Sequence, residues 1–283
     1  MKDFNGKVAA ITGAGSGIGQ ALAIDLAGRG CNLALSDVDE AGLAETVLRC
    51  ERANASVKVT PTALDVSDRD ALFGWADQVV ADHGTVNLIA NNAGVALGAS
   101  AAGQSLQDFE WLMDINFWGV VNGTQAFLPH LRESGDGHII NISSVFGLIS
   151  IPTQSAYNAS KFGVRGFTDA LRMELEIDPC GVSCTTIHPG GIKTNIARNA
   201  RTDESMIIAG SDPNEFVQEF DKLARTTPDK AARQILKAVE RNRRRALIGP
   251  DAVLFDIVSR LPAGLYQRIL VGQARRERAK RSV

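Results

Sequence analysis

Tyr157 and Lys161 stand four residues apart in the segment Ser155-Ala156-Tyr157-Asn158-Ala159-Ser160-Lys161, which reads as helix. Positions i and i+4 share one helix face, so the phenol and the ammonium point the same way. A phenol titrates near pKa ~10 and is a poor base at neutral pH. A cation within a few ångströms favours the phenolate and lowers that value. The pair could therefore donate and accept a proton. Taken alone, the same spacing occurs by chance in many helices.

A second chemical signal lies at the other end of the chain. Thr12-Gly13-Ala14-Gly15-Ser16-Gly17-Ile18-Gly19 follows the first apolar run and opens a helical pattern. Glycines there permit a tight turn and a close approach of backbone to a pyrophosphate, which the helix N-terminus attracts. The spacing, with glycine at 13, 17 and 19, is not the Gly-x-Gly-x-x-Gly of the longer-chain dehydrogenases. The plain alternative is a glycine-rich turn without a ligand. Asp37 closes the second apolar run, where an acidic side chain can accept from adenosine ribose hydroxyls. It would repel a 2′-phosphate by roughly 4 kcal/mol for unit charges ~4 Å apart at an effective dielectric near 20. Asp39 and Glu40 add the same sign, and no Arg or Lys occupies the turn or position 38. NAD is expected in preference to NADP. A helix N-cap role for Asp37 is compatible with that reading.

The elements that must position these residues alternate along the chain. Strands are expected at 8–11, 32–36, 57–60, 86–90, 138–142 and 182–187, with a short seventh at 246–248. Helical patterns cover about 18–27, 39–53, 68–82, 106–131, 155–177 and 229–242. Alternation of this kind implies parallel strands joined by right-handed crossovers. Strands rich in Val, Ile, Leu and Ala, without polar alternation, fit a sheet covered on both faces. The expected fold is α/β, a doubly wound parallel sheet of Rossmann type, as a single domain over residues 1–250. Residues 251–283 form a basic helical extension to it.

Composition excludes several functions. The net charge of the 283 residues is -2, which gives no reason to expect nucleic acid. His83, His130, His138 and His188 form no ligand pair at helical spacing, and Cys31, Cys50, Cys180 and Cys184 include no Cys-x-x-Cys. No metal site is expected. Met1-Lys2-Asp3-Phe4 runs directly into a strand, and no apolar run is long enough to span a bilayer, so the cytoplasm is the expected compartment.

Further motifs complete a pattern: Asp65-Val66, Asn91-Asn92-Ala93-Gly94, Asn116 within a helix, Ser143-Ser144 closing the fifth strand, and Pro189-Gly190 with Thr194. In these motifs and their order the chain resembles the short-chain dehydrogenase/reductase family, from residue 12 to residue 194. The resemblance implies hydride transfer between a nicotinamide and a carbinol or carbonyl carbon. It implies a catalytic set of Asn116, Ser144, Tyr157 and Lys161, with Ser144 preferred to Ser143 because it precedes Tyr157 by the family's thirteen residues. Tyr157 would exchange the proton, Lys161 would lower its pKa and hold the nicotinamide ribose, and Ser144 would hold the substrate oxygen. Asn116 would link Lys161 to solvent through its backbone and a water. The implied dinucleotide contacts are Gly13, Ser16, Gly17, Ile18, Gly19, Asp37, Asp65, Val66, Asn92, Ala93, Gly94, Tyr157, Lys161, Pro189, Gly190, Ile192 and Thr194.

Residues 195–227 correspond to the family's variable substrate lid. Phe216, Val217, Phe220, Leu223 and Ala224 repeat there at helical spacing. With Leu148, Ile149, Ile151, Val95, Ala96 and Leu97 also apolar, the expected substrate is a small apolar alcohol, ketone or aldehyde. The family suggests a homodimer or homotetramer built through the helices around 106–131 and 155–177. The basic stretch in 265–283 reads as a solvated face, or as a weak peripheral contact with an anionic membrane. Two other functions fit the same motifs: a catalytically silent dinucleotide sensor or scaffold, and an NADP-dependent carbonyl reductase.

Overall fold

Every residue of Val8–Thr12 (β1) is buried, so both faces of this strand need cover. In the structure, a computed structural model that describes residues 1–281, that cover comes from helices on either side. The chain continues through α1 (Gly17–Gly28), β2 (Asn32–Asp37), α2 (Glu40–Ala53), β3 (Val59–Ala63), α3 (Arg69–His83) and β4 (Leu88–Asn91). Next come β5 (Leu97–Gly98), α4 (Leu106–Met113), a π-helical turn (Asp114–Trp118), α5 (Gly119–Glu133), β6 (Gly137–Ile142) and α6 (Ser155–Ile177). The last elements are β7 (Val182–Pro189), β8 (Arg201–Thr202), α7 (Phe216–Leu223), α8 (Pro228–Glu240), β9 (Arg245–Ile248), α9 (Pro250–Ser259) and α10 (Ala263–Arg281).

The main sheet is parallel, in the order β3-β2-β1-β4-β6-β7-β9. Successive β1 side chains serve opposite cores. Ala9 and Ile11 pack with Leu22 and Leu26 of α1 and Ile235 and Leu236 of α8. Val8 and Ala10 pack with Trp75 of α3, Phe127 of α5 and Leu171 of α6. Each large side chain fully buried in this way contributes about 1.5–3 kcal/mol. Trp75 meets Phe127 edge-on, with ring centroids 5.2 Å apart. Strand order reverses between β1 and β4, so their carboxyl ends open a crevice, the usual place for a ligand in such sheets.

The expected strands and helices are all present, with differences that have local causes. The third strand begins at Val59 and runs to Ala63 instead of covering 57–60. It is the sheet's edge, which tolerates Pro61 and its missing N–H. The helix expected over 106–131 is broken by the π-helical turn into α4 and α5. Asp39, not Asp37, caps α2, accepting from the Gly42 N–H at 3.1 Å. An unexpected two-stranded parallel sheet joins β5 to β8, pairing Leu97 with Arg201 and Gly98 with Thr202. The lid periodicity does form a helix, α7.

The C-terminal extension forms two helices, α9 and α10. Leu265, Ile269 and Val271 of α10 are exposed together with its arginines. Residues 282 and 283 lie outside the described residues. Tyr266 of α10 accepts from the Ser150 N–H at 3.5 Å, and α10 packs against the 3₁₀ turn Glu204–Ala209 of the lid. Among the described residues no helix is long and apolar enough to cross a membrane.

Candidate active site

The carboxyl ends of β1, β2, β4, β6 and β7 carry most of the residues singled out from sequence. Gly13 has φ +65, and a Cβ there would lie 2.7 Å from Ala93 Cα, so only glycine lets the β1 and β4 turns meet. The contact is fixed by Thr12, whose Oγ1 accepts from the Asn92 and Ala93 N–H groups at 3.0 and 3.1 Å. The Asn92 amide donates to the carbonyls of Thr12 and Gly13 at 2.9 and 3.0 Å. That side chain braces the turn. Gly19 must also lack a side chain, since a Cβ would stand 2.1 Å from the Gly13 carbonyl oxygen.

Ser16 precedes α1 without capping it through its side chain, so the first-turn N–H groups remain directed at the crevice. Ile18 packs against the core below. Thr194 closes over the turn, its Cγ2 3.0 Å from where a Gly17 Cβ would stand. A cavity of about 320 Å³ opens here between Ser16, Gly17, Gln20, Arg49, Lys193 and Thr194. Asp37 accepts from the Gly15 N–H at 2.7 Å through Oδ2 and from the Asp39 N–H at 2.9 Å through Oδ1. Its carboxylate is therefore held at the rim of the glycine turn. Asp65 accepts from the N–H and hydroxyl of Ser67 at 2.9 and 2.7 Å, and Val66 is buried against Gly119. These features fit a dinucleotide: free helix N–H groups for a pyrophosphate and a fixed acceptor for ribose.

The second cluster lies at the ends of β6 and β7. Ser144 follows β6 and caps a short 3₁₀ turn, accepting from the Phe146 N–H at 3.1 Å. Its hydroxyl lies near enough to the Tyr157 hydroxyl to pull that phenol's pKa down. Ser143 instead donates to the Lys161 carbonyl at 2.8 Å, which leaves Ser144 as the serine beside the phenol. Lys161 is 3% exposed, and its Nζ donates to the Ile142 carbonyl at 3.1 Å. It lies 5.5 Å from the centre of the Tyr157 ring. Asn116 sits in the π-helical turn, a frequent feature of functional sites. Its side chain binds the backbone of Val95: Oδ1 accepts from the Val95 N–H at 2.8 Å and Nδ2 donates to the Val95 carbonyl at 2.9 Å. A Cβ on Gly94 would stand 3.1 Å from Asn116 Oδ1 and 3.6 Å from Lys161 Nζ, so these three groups converge.

The electrostatics differ from the sequence expectation. Tyr157 keeps part of its surface open, but desolvation around its hydroxyl pushes the phenol up to about 12, with Ser144 pulling the other way. Burial pushes Lys161 down to about 8. Within the protein's own groups, desolvation outweighs any lowering of the phenol by the ammonium. Both side chains are driven toward their neutral forms.

Pro189 ends β7. The loop beyond it is held to the lid, where Lys193 N–H donates to the Thr226 carbonyl at 2.9 Å and Ile192, 3% exposed, bridges to Thr226. Two residues that sequence reasoning passed over matter here. His188, fully buried, hydrogen-bonds the Ser144 carbonyl through Nδ1 at 2.7 Å. Asp251 reaches the Gly190-Gly191 pair from α9. Neither has a local sequence signal, because both act across the sheet's end from distant elements. Among the described residues no group of three His, Cys, Asp or Glu side chains could hold a metal ion.

Comparisons with known proteins agree with this geometry. The family described as short chain dehydrogenase matches residues 7–205. A Mycobacterium tuberculosis protein bearing the name oxidoreductase SadH is 49% identical over 271 residues, covering 95% of this chain and 96% of that one. A short-chain dehydrogenase/reductase from Burkholderia phymatum, solved in complex with NAD, superposes with a TM-score of 0.84 at 31% identity, over 94% of this chain and 96% of its own. A short-chain dehydrogenase from Mycobacterium paratuberculosis, bound to NAD, gives 0.70 at 27% identity, over 83% and 91%.

Proposed function

Because the chain belongs to the short-chain dehydrogenase family, we propose that it transfers a hydride between NAD(H) and an apolar alcohol, ketone or aldehyde. The observation that carries this reading is the meeting of Ser144, Tyr157 and Lys161 beside Gly94 and Asn116. A bound nicotinamide supplies the hydride acceptor or donor, and its positive charge when oxidised favours the phenolate. In oxidation Tyr157 takes the hydroxyl proton as the hydride leaves the carbinol carbon; in reduction it returns that proton. Ser144 holds the substrate oxygen near the phenol. Lys161 holds the nicotinamide ribose and, when protonated, opposes the desolvation that raises Tyr157. Preference for NAD over NADP is supported by Asp37, held beside the glycine turn, whose charge would repel a 2′-phosphate bound next to it.

An apolar substrate is supported by two of the lid's four basic side chains. Arg198 pairs with Asp221 at 2.6 Å and Arg201 with Asp108 at 2.7 Å, so both guanidiniums are engaged within the protein. The test is the change in NADH absorbance with a panel of apolar alcohols and ketones. Tyr157→Phe is expected to abolish turnover while NADH still binds. Full activity in that variant defeats the acid–base role, and absence of turnover across the panel in the wild type favours a sensor.

Two interaction surfaces belong to the same proposal. Trp118, Phe162, Met173 and Ile177 are exposed on the helical segments α4–α6, the elements through which a homodimer or homotetramer would form. Val253, Leu254, Ile257, Leu261, Leu265 and Ile269 are exposed on α9, α10 and the turn between them, and α10 also carries exposed Arg268, Arg275 and Arg276. Exposed apolar side chains in a cationic segment suit the surface of an anionic bilayer. Sedimentation with phosphatidylserine vesicles should carry down the full chain and not one lacking residues 263–283; equal sedimentation of the two removes the membrane role.

A further inference from the structure

Gly190-Gly191 belongs to the loop that the proposed reading sets against the nicotinamide, and it is gripped from two sides. On one side the Gly191 carbonyl accepts from the N–H groups of Arg225 and Thr226 at 3.1 and 3.2 Å, where the lid returns to the core. On the other stands Asp251, the second residue of α9, whose Oδ2 accepts from the Gly191 N–H at 2.5 Å. The carboxylate lies flat against Gly190: a Cβ there would come within 2.0 Å of Oδ2 and 2.4 Å of Oδ1. Gly190 is not among the residues with positive φ, so its lack of a side chain answers to Asp251 and not to the backbone. The second carboxylate oxygen, Oδ1, is buried with no hydrogen-bond partner among the described residues. A buried acceptor left unpaired is costly and rare. The Gly191 N–H is therefore the one hydrogen bond seen to tie this carboxylate over the loop. Asp251 also lies beyond residues 7–205, the stretch that the family pattern covers.

We propose that Asp251 is a positioning residue for the dinucleotide: by fixing the Gly191 N–H it sets the course of residues 189–194. The inference rests on the nicotinamide reading of that loop for its functional consequence, but the positioning itself is a property of the protein alone. The C-terminal extension thereby becomes part of the cofactor's seat.

The experiment pairs amide hydrogen exchange of residues 189–194, measured without dinucleotide, with NADH fluorescence titration and steady-state kinetics. Asp251→Ala is expected to speed exchange in 189–194 and to weaken NADH on the order of tenfold, the size of one charge-assisted hydrogen bond. It should raise the KM for NAD more than it lowers kcat. Asp251→Asn retains an acceptor oxygen and is expected to restore both readouts to within about threefold of wild type. Gly190→Ala should weaken NADH when Asp251 is present and add little in the Asp251→Ala background, where the methyl group has room. Wild-type exchange and affinity in Asp251→Ala overturn the proposal, as does an Asp251→Asn variant damaged as badly as the alanine. If Asp251→Ala does not fold, undiminished NADH affinity in Gly190→Ala overturns it equally. Failure of the wild type itself to bind NADH defeats the dinucleotide reading, while the exchange data still decide what holds the loop.

Discussion

Lys161→Met should make the protein more stable at neutral pH and inactive. Lys161 is 3% exposed, and its Nζ has one carbonyl partner, that of Ile142 at 3.1 Å. Burial displaces its pKa from 10.5 to about 8. At about 1.4 kcal/mol per pH unit, the ammonium form carries a penalty of roughly 3 kcal/mol in the folded state. Methionine removes the charge and fills much of the same volume. The sign of the pH dependence follows from proton counts. Between about pH 8 and 10.5 the unfolded chain holds a proton on this lysine that the folded protein has released, so this group's contribution to wild-type stability rises with pH through that window. The advantage of Lys161→Met is thus full below pH 8 and fades as pH climbs to 10.5. Loss of the Ile142 bond trims it by about 1 kcal/mol. At about 2 °C per kcal/mol for a chain of this size, the expected gain in Tm at pH 7 is roughly 4 °C. Thermal melts of both proteins, without dinucleotide, at pH 7, 8.5 and 10 measure it. A variant no more stable than wild type at pH 7, or a difference that does not shrink by pH 10, refutes the argument that the site strains a buried ammonium.

Two substitutions probe the rest of the crevice. Asp37→Ala should narrow the ratio of kcat/KM for NAD over NADP at least tenfold by removing repulsion worth roughly 4 kcal/mol; steady-state kinetics with both cofactors show it, and an unchanged ratio refutes the ribose role. Asn116→Ala leaves both backbone groups of Val95 without their partner; it should lower stability by roughly 2 kcal/mol in urea titration, and an unaltered midpoint contradicts the bracing of that turn.

The sequence made the sheet readable because its strands are short, apolar and separated by helix-length polar patterns. Gly13, Asp37 and Asn92 could be singled out because each stands at the carboxyl end of such a run, and Tyr157 and Lys161 because they share a helix face. The choice of Ser144 over Ser143 rests on family spacing; in the structure Ser143 donates to the Lys161 carbonyl, and Ser144 lies near the phenol. The break at Asn116 was not readable, since a π-helical turn depends on which backbone partner wins and not on periodicity. The opposite drift of Tyr157 and Lys161 was not readable either, because desolvation depends on packing from β6, α6 and the Gly94 turn together. Asp251 and His188 act through contacts 60 and 44 residues away in the chain, and no local pattern encodes those.

The small pairing of β5 with β8 gives the roof of the cleft a latch. Gly98 also accepts from the Asp203 N–H at 2.8 Å, and Met206, 1% exposed, fits its sulfur where Gly98 has no side chain. The strand that follows Asn-Asn-Ala-Gly is thus stitched to the segment 201–206. Swinging the roof aside means undoing several bonds at once and withdrawing a methionine from its socket. Under the proposed function, opening of this segment to admit substrate is expected to break these contacts together.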